Sequence, residues 1–198
     1  MRRSAKFRGF TLVELAVALA VLAILLMLAM PAFGQWLRNQ RVRAGAESVL
    51  AGLQLAKAEA LKRNTTVRFS LVSSLSTGCS LIATSSDVSQ WNWVISTVDP
   101  VAKSCPTPGD SSGVIQTRPV SEAGAGAVTI NASQPMVAFD GLARGSADAT
   151  LQFSSGGTGA CSSDSSGVRC LNVVVTAPGG EVRLCDPAVT SSDDPRRC

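Results

Sequence analysis

Hydrophobic and polar residues divide the chain into three stretches. Residues 11–30 are apolar except for Glu14, which leaves one charge in twenty residues. A helix of that length crosses a hydrocarbon core of about 30 Å, so this stretch predicts a transmembrane helix. From there to residue 61 the apolar residues recur at spacings of three to five, which predicts one stripe on an amphipathic helix. The stripe consists of Leu37, Val42, Ala46, Val49, Leu50, Leu53, Ala56, Ala60 and Leu61.

Pro31 lies inside a helical pattern that continues to about Arg63. Proline removes a backbone donor and clashes with the preceding turn, so we expect a bend or a local loosening of the helix there. The apolar stripe beyond it needs a sheet to cover. The basic residues of this helix lie largely off the stripe, which favours a solvated or subunit-facing surface for Arg38, Arg41, Arg43, Lys57, Lys62 and Arg63.

Beyond Asn64 the pattern changes to short β-branched runs separated by Ser, Gly, Pro and Asp, which predicts strands. The last two should form a hairpin around Pro178-Gly179-Gly180, where glycine allows the positive φ of a tight turn. The expected fold is α+β, with a long amino-terminal transmembrane and stalk helix packed on a predominantly antiparallel β-sheet domain. The predicted strands are Thr66–Val72, Cys79–Ala83, Trp91–Thr97, Val114–Arg118, Ala127–Asn131, Met136–Asp140, Thr150–Phe153, Cys170–Thr176 and Glu181–Cys185.

The residues before the apolar stretch set its expected orientation. Arg2, Arg3, Lys6 and Arg8 precede it without an acidic residue, and the positive-inside rule then holds the amino end in the cytoplasm. Four segments are expected: a basic leader at residues 1–9, a transmembrane helix at 10–33, an amphipathic stalk at 34–63, and one β-rich periplasmic domain at 64–198. The protein should therefore cross the bacterial inner membrane once.

Glu14 is the anomaly of the apolar stretch. A carboxylate there costs roughly 2.5 to 3.5 kcal/mol on insertion scales, so it should have a partner or a function; a plain anchor with an accidental glutamate is the alternative. The sequence Gly9-Phe10-Thr11-Leu12-Val13-Glu14 before a long apolar run resembles the class III signal of the type IV pilin superfamily. The resemblance implies that a prepilin peptidase cuts after Gly9 and methylates Phe10. It also implies that Glu14 pairs with the terminal amine of a neighbouring subunit.

Six cysteines follow the predicted span, in the oxidising compartment. An even number in an exported, loop-rich domain favours disulfides, although six cysteines allow fifteen pairings. Proximity suggests Cys79 with Cys105, Cys161 with Cys170, and Cys185 with Cys198. A structural metal site is the alternative, but the chain has no His and no C-x-x-C pair, so neither a metal nor another cofactor is expected.

Catalytic chemistry has little support in the sequence. The absence of His removes the usual general base and the Ser-His and Cys-His nucleophile systems. Asp186, Asp193 and Asp194 suit a solvated tail better than a carboxylate pair. Trp91 and Trp93 share one face of a predicted strand and could stack on bases, but core packing is the favoured interpretation. We therefore expect a protein that is not an enzyme.

Charge limits a nucleic-acid function. The chain has 18 basic and 14 acidic residues, a balance of +4, but four of the basic ones lie in the leader. From Asn64 onward there are 8 basic and 11 acidic residues, a balance of −3. The β-rich domain therefore lacks the overall positive charge that drives nonspecific phosphate binding, and a DNA site would have to be local.

The remaining sequence extends the resemblance to GspH/FimT pseudopilins and minor pilins, the group of type II secretion system protein H. The similar segments are Ala56–Asn64 leading into Thr66–Leu71, Trp91–Ile95, Phe139–Gly141 with Gly145, and Gly180–Cys185. Some FimT-type members bind DNA through a Gly-Arg-x-Arg motif. The matching residues here are Gly180, Glu181, Val182 and Arg183, so an acid replaces the first arginine and would repel phosphate.

These features predict a minor pilin or pseudopilin at or near the tip of a type II secretion pseudopilus or a type IV pilus. The expected partners are other pilins or pseudopilins, the prepilin peptidase, the inner-membrane assembly platform and the membrane itself. The alternative is a DNA-binding subunit for DNA uptake, which would use Arg169, Arg183, Arg196 and Arg197.

Overall fold

A computed structural model of the chain describes residues 11–76, 79–101, 105, 113–122, 128–155 and 169–198, without the side chains of residues 28–32. One helix, α1, runs from Leu12 to Arg63 and is assigned without a break through Pro31. The bend expected at Pro31 stays a prediction. Across this part of the chain, no helix is both long enough and apolar enough to cross a membrane.

The chain divides into two compact units between Leu37 and Arg38. In the first unit, every described side chain from Thr11 to Met27 is exposed, including large apolar groups such as Leu12 and Met27. Near its end, the rings of Phe33 and Trp36 stack with their centroids 5.7 Å apart. This unit therefore presents apolar surface around the whole circumference of its helix.

Nine strands occur in the described part of the second unit. They are β1 (Val67–Val72), β2 (Asp87–Val88), β3 (Asn92–Ser96), β4 (Val114–Pro119), β5 (Thr129–Ala132), β6 (Met136–Phe139), β7 (Ala149–Ser154), β8 (Leu171–Thr176) and β9 (Glu181–Cys185). All their pairings are antiparallel, in two sheets with the strand orders β4-β3-β1-β6 and β2-β5-β7-β8-β9. The predicted α+β class, with a mainly antiparallel domain behind a long helix, is confirmed.

Eight of the predicted strands form, but the one at Cys79–Ala83 is wrong. In that segment only Leu81 forms an isolated bridge, with Val72. The reason is the occupancy of β1, which pairs with β3 on one edge and with β6 as far as Ser70 on the other. Only the last two residues of β1 remain for a further partner, so the five-residue strand predicted at Cys79–Ala83 has no edge long enough to pair along its length. The two-residue strand β2 was not predicted.

The apolar stripe of α1 and both sheets form one core. Six helix residues at alternating spacings of four and three are fully buried: Val42, Ala46, Val49, Leu53, Ala56 and Ala60. They share a cluster with Phe69 of the first sheet and Phe153 of the second. Leu37 and Leu61, which the pattern placed on the stripe, are exposed. The predicted role of the stalk helix, to cover a sheet, is confirmed, and it covers two.

Small residues let α1 approach the first sheet closely. A Cβ atom at Gly52 would lie 2.8 Å from the ring of Phe69 and 3.3 Å from that of Trp93. The two rings pack together with centroids 5.8 Å apart. The indole N–H of Trp93 donates to the hydroxyl of Ser48 at 3.1 Å, so this buried contact also satisfies its polar groups.

The end of α1 is a Schellman motif. The backbone N–H of Asn64 donates to Leu61 and that of Thr65 donates to Ala60, while Asn64 adopts a positive φ of 49°. Gly141 packs directly against this cap, because a Cβ there would lie 2.9 Å from the carbonyl carbon of Asn64. The end of the helix is thus tied to the turn that follows β6.

The turn that follows β6 is stabilised by the side chain of Asp140. The carboxylate of Asp140 accepts hydrogen bonds from the backbone N–H groups of Leu142 and Arg144, each at 2.9 Å, and from the Arg144 side chain at 2.7 Å. These bonds, above all the one from the Arg144 backbone, lower the pKa of Asp140 below its ordinary value. The Phe139-Asp140-Gly141 segment therefore has a structural role in the turn.

A smaller cluster covers the other face of the first sheet. Cys79 and Cys105 are joined by a disulfide and pack with Val72, Val94 and Val114. This is one of the pairs that proximity suggested. Of the Cys161–Cys170 pair, Cys170 is disulfide-bonded, and Cys161 lies outside the described residues.

Candidate functional site

The amino end of α1 carries the first candidate residue, Glu14. Its backbone N–H donates to the hydroxyl oxygen of Thr11 at 3.2 Å, and Thr11 also accepts a bond from the backbone of Leu15 at 3.2 Å. Thr-x-x-Glu is the pattern of a capping box, in which the first residue satisfies free backbone donors of the helix. A carboxylate in the first turn is also favoured by the helix dipole. Gly9 and Phe10, the predicted processing positions, lie outside the described residues.

The chain after β9 forms a tail, residues 186–198, that folds back on that strand. Cys185 and Cys198 are joined by a disulfide, the pair expected from their spacing. Arg183 donates from Nη2 to the carbonyl oxygen of Cys198 at 3.1 Å. The backbone N–H of Asp186 donates to the carbonyl of Arg196 at 2.7 Å. The tail is thus attached to β9 through a covalent bond and one hydrogen bond, and the second hydrogen bond closes the tail on itself.

A groove of about 470 Å³ lies between this tail, the start of β8, the end of β9 and α1. It is at the end of the domain where α1 enters, because Val42 is the first fully buried residue of the helix. Val42, Leu171 and Leu184 contribute apolar surface to it. We call it the arginine groove; it is lined by Asn39, Gln40, Val42, Arg43, Arg169, Leu171, Leu184, Cys185, Asp186 and Arg196.

The three arginines of the arginine groove differ in their partners. Arg43 donates to Glu47 on the next turn of α1 at 2.7 Å, and Arg196 donates two bonds to the carboxylate of Asp194, at 2.7 and 3.0 Å. No side-chain hydrogen bond or ion pair to Arg169 occurs within the described part of the chain; its backbone N–H donates to Asn39 at 3.2 Å. The groove therefore contains three guanidinium groups and one carboxylate, that of Asp186.

The ion pair between Asp194 and Arg196 changes the pKa values of both groups. The Arg196 side chain, with help from the Arg196 backbone N–H, lowers the pKa of Asp194 from its ordinary 3.8 to about 2. Asp194 in turn raises the pKa of Arg196. Because the lowered pKa belongs to the folded chain, the stabilising effect of this pair is complete above pH 3.8 and is lost as the pH falls toward 2. Both groups stay charged at neutral pH.

Of the four candidate DNA-contacting arginines, Arg169, Arg196 and Arg197 lie at the end of the β8–β9 hairpin opposite its turn, whereas Arg183 lies in the middle of β9. Arg169 and Arg196 line the arginine groove, Arg183 is bonded to the tail, and the backbone N–H of Arg197 donates to Asp194. Glu181 and Arg183 lie two residues apart on the same face of β9, and both are exposed. The acid therefore lies beside the arginine that the Gly-Arg-x-Arg motif would need.

Gly180 has a structural role of its own. It adopts a positive φ of 62°, and a Cβ atom there would overlap the backbone carbonyl oxygen of Ala143. Its own carbonyl oxygen accepts a hydrogen bond from the Lys57 side chain at 2.8 Å. Glycine at this position is explained by the packing of the hairpin turn, without reference to a ligand.

The two tryptophans are core residues. Trp91 and Trp93 are both buried, and the Trp91 ring packs edge-on against Phe153 with centroids 5.8 Å apart. The indole N–H of Trp91 donates to the carbonyl of Val128 at 3.0 Å. A base cannot reach these rings, so the interpretation of core packing is confirmed. Across the described ranges, no group of three or more His, Cys, Asp or Glu residues is placed to hold a metal ion.

Comparison with known families decides the identity of the chain. The model of the family described as "Type II transport protein GspH" matches residues 45–179, which is more than half of the chain. The chain belongs to the GspH family. A second model, the prokaryotic N-terminal methylation motif, matches residues 4–30. This GspH protein is a minor pilin or pseudopilin.

Two further comparisons were made. No curated protein matches the GspH chain in sequence. Its structure is similar to that of the type IV minor pilin FimU of Pseudomonas aeruginosa PAO1, with 13% sequence identity and a TM-score of 0.44 over 76% of this chain and 97% of that one.

The family match has informative limits. It begins at Gly45, after the first helix residues of the arginine groove, and it ends at Gly179, before β9 and the tail. Most residues that line the groove are therefore outside the part of this GspH protein that the family model describes. Sequence reasoning missed the groove for a physical reason, since its lining joins residues near 40 to residues more than a hundred positions later, near 170, 185 and 196. It also missed Thr11 as the helix cap, which the pattern Thr11-x-x-Glu14 would have indicated.

Proposed function

We propose that this GspH protein is a structural subunit of a filament assembled at the bacterial inner membrane, either a type II secretion pseudopilus or a type IV pilus, and that it lies at or near the tip. One combination carries the proposal: a methylation motif matches residues 4–30, and the helix that begins within it exposes its apolar side chains on all sides from Leu12 to Met27. Such a surface needs either lipid or other apolar helices around it.

The mechanism is association. The helix from residue 11 to 30 crosses the inner membrane once, with the amino end in the cytoplasm and the β-rich domain in the periplasm. The assembly platform then moves it into a filament, where it packs among the helices of other pilins or pseudopilins. Glu14 pairs with the terminal amine of a neighbouring subunit. The protein has no catalytic activity of its own.

Processing between Gly9 and Phe10 is the first expected result. Protein isolated from its native membrane should have an intact mass and an amino-terminal sequence that correspond to a chain starting at methylated Phe10. The reason is the basic leader followed by the Gly-Phe junction and the apolar stretch. A chain that still began at Met1 in cells with active prepilin peptidase would contradict the proposal.

A deletion strain separates the two kinds of filament. Loss of protein secretion would indicate a type II secretion pseudopilus, and loss of pili would indicate a type IV pilus.

We also propose that DNA uptake is not its function. From Asn64 onward the chain has 8 basic and 11 acidic residues, Arg183 is bonded to the tail, and Glu181 lies on the same face of β9 as Arg183. Each of these features weakens the attraction of this region for a DNA backbone. Residues 35–198 should bind double-stranded DNA only weakly in physiological salt.

The substitution Glu181→Arg should raise that DNA affinity and steepen its salt dependence by roughly one phosphate contact. Glu122→Arg is the matched control, because it makes the same change of charge at an exposed residue after β4, on the other sheet. Affinity and salt slope can be measured by fluorescence anisotropy of a labelled duplex. Submicromolar binding by the wild-type protein that is lost in Arg183→Ala would instead support DNA uptake.

A further inference from the structure

We propose that the arginine groove binds the phosphodiester headgroup of an anionic phospholipid in the periplasmic leaflet of the inner membrane. The inference rests on the proposed function, because it requires residues 11–30 to span that membrane. It adds a site and a ligand class, and it gives the domain a defined attachment to the membrane surface before it enters a filament.

The first argument is position along the chain. Only five residues lie between Phe33 and Asn39, the first residue that lines the groove. The six steps along the chain cover about 9 Å as a helix and at most about 20 Å in any conformation. Phe33 and Trp36 are exposed and stacked, and exposed aromatic side chains at the end of a span are typical of the membrane–water interface. Chain length alone therefore keeps Asn39, one residue of the groove lining, within about 20 Å of Phe33.

The second argument is the chemistry of the groove. Guanidinium groups bind phosphate oxygens through paired hydrogen bonds, and the side-chain amides of Asn39 and Gln40 provide further donors. The Arg169 side chain is available for such a contact, since no ion pair or hydrogen bond to it occurs among the described residues. The apolar surface beneath the arginines suits the glycerol and first methylene groups of a lipid. The volume of about 470 Å³ lies within the range of ligand sites.

Three acids, Asp186, Glu47 and Asp194, lie in or beside the groove and equal its three arginines in number. Asp186 is buried, and its Oδ1 accepts a hydrogen bond from the backbone of Ala188 at 2.9 Å, which directs one carboxylate oxygen toward the chain. The pairs Arg43–Glu47 and Arg196–Asp194 are on exposed side chains of arginine, and exposed pairs contribute little. A phosphate can therefore compete for both arginines. Arg38 and Arg41 on the same stretch of α1 add to the positive field.

An acidic segment of a neighbouring subunit would also suit three arginines. The lipid is favoured because Asn39 of the groove follows the predicted span within a few residues of the chain, so headgroups are within reach whenever the protein is in the membrane. A subunit contact would exist only after assembly. The two occupants can be separated by experiment.

The test uses the full mature chain, residues 10–198, purified in detergent and mixed with equal amounts of phosphatidylglycerol and phosphatidylcholine. Native mass spectrometry then gives the ratio of the two lipids bound. We expect a preference for phosphatidylglycerol, reduced roughly fivefold by Arg169→Gln and more than tenfold by the combination of Arg43→Gln, Arg169→Gln and Arg196→Gln. The matched control, Lys62→Gln with Arg118→Gln and Arg144→Gln, removes the same charge elsewhere and should keep the preference.

Equal binding of both lipids by the wild-type chain would overturn the inference, as would an equal loss of preference in the control variant. A groove variant that keeps the lipid preference but fails to enter filaments would assign the groove to a neighbouring subunit instead. Melting temperatures identify any variant that is misfolded. If the triple variant is misfolded, the test rests on Arg169→Gln, which breaks no side-chain contact among the described residues. Extraction of the wild-type chain from membranes by alkaline carbonate would count against the proposed function itself.

Discussion

Replacing Glu14 with glutamine should lower incorporation into filaments by roughly tenfold or more while leaving membrane insertion unchanged or improved. Insertion should improve because a carboxylate in an apolar span costs roughly 2.5 to 3.5 kcal/mol. Assembly should suffer because removing one partner of a buried ion pair leaves the other charge uncompensated, at a cost of about 3 to 5 kcal/mol. The measurements are the membrane-bound fraction of the processed chain and its amount in sheared filaments.

Glutamine is chosen because residue 14 lies in the first turn of the helix. Glutamine can occupy the acid position of a capping box, and the bond from the backbone N–H of residue 14 to Thr11 does not depend on the side chain. Thr11→Ala is the matched control, since it removes the cap at a cost of about 1 kcal/mol and keeps the carboxylate. If Thr11→Ala reduced assembly as much as Glu14→Gln, the acid would act by starting the helix rather than by pairing with a neighbour.

Gly180→Ala should destabilise the protein by about 3 kcal/mol or more. A residue with a Cβ atom costs about 1 to 2 kcal/mol in the left-handed conformation that Gly180 adopts at φ 62°. The new methyl group would also overlap the backbone carbonyl oxygen of Ala143, and this turn cannot move away freely. The N–H of Gly180 donates to Thr176 at 2.8 Å, and its carbonyl accepts from Lys57. The hairpin turn would have to separate from the chain beneath it.

The adjacent glycine supplies the control. No atom lies within 4 Å of a Cβ built at Gly179, so Gly179→Ala should have little effect on stability. Thermal unfolding of the full mature chain in detergent should show a midpoint lowered by roughly 6 to 12 °C for Gly180→Ala and nearly unchanged for Gly179→Ala. Equal midpoints for the two variants would mean that the turn is not packed as described. Glycine at position 180 would then need a functional explanation.

Most strands could be predicted from the sequence. The one that was predicted wrongly shows what a local pattern cannot report. Alternating and β-branched runs located eight of nine predicted strands, because each run carries its own tendency to form a strand. The run at Cys79–Ala83 has the same tendency, yet the edge of β1 that it would need is already paired with β6. Whether an edge is free depends on distant residues, so local pattern cannot report it.

The candidate sites divide in the same way. The processing signal and Glu14 are contiguous in sequence, so a short motif was enough to recognise them. The arginine groove joins residues near 40, 170, 185 and 196, and no short pattern connects these segments. Gly180 shows the opposite case: a residue singled out by family resemblance has its conformation and contacts explained by Ala143 and Lys57.

The sequence by itself determined the class of the protein and its mode of action. A basic leader, a glycine–phenylalanine junction, one acid in a long apolar stretch and a heptad-like stripe are local features, and they require only neighbouring residues to be recognised. The tertiary structure decided which surfaces remain available. It buried both tryptophans beneath the sheets, paired two of the candidate arginines with the tail, and left Arg169 in a groove near the entry of α1. These outcomes depend on contacts between segments far apart in sequence, whose energies appear only when the chain has folded.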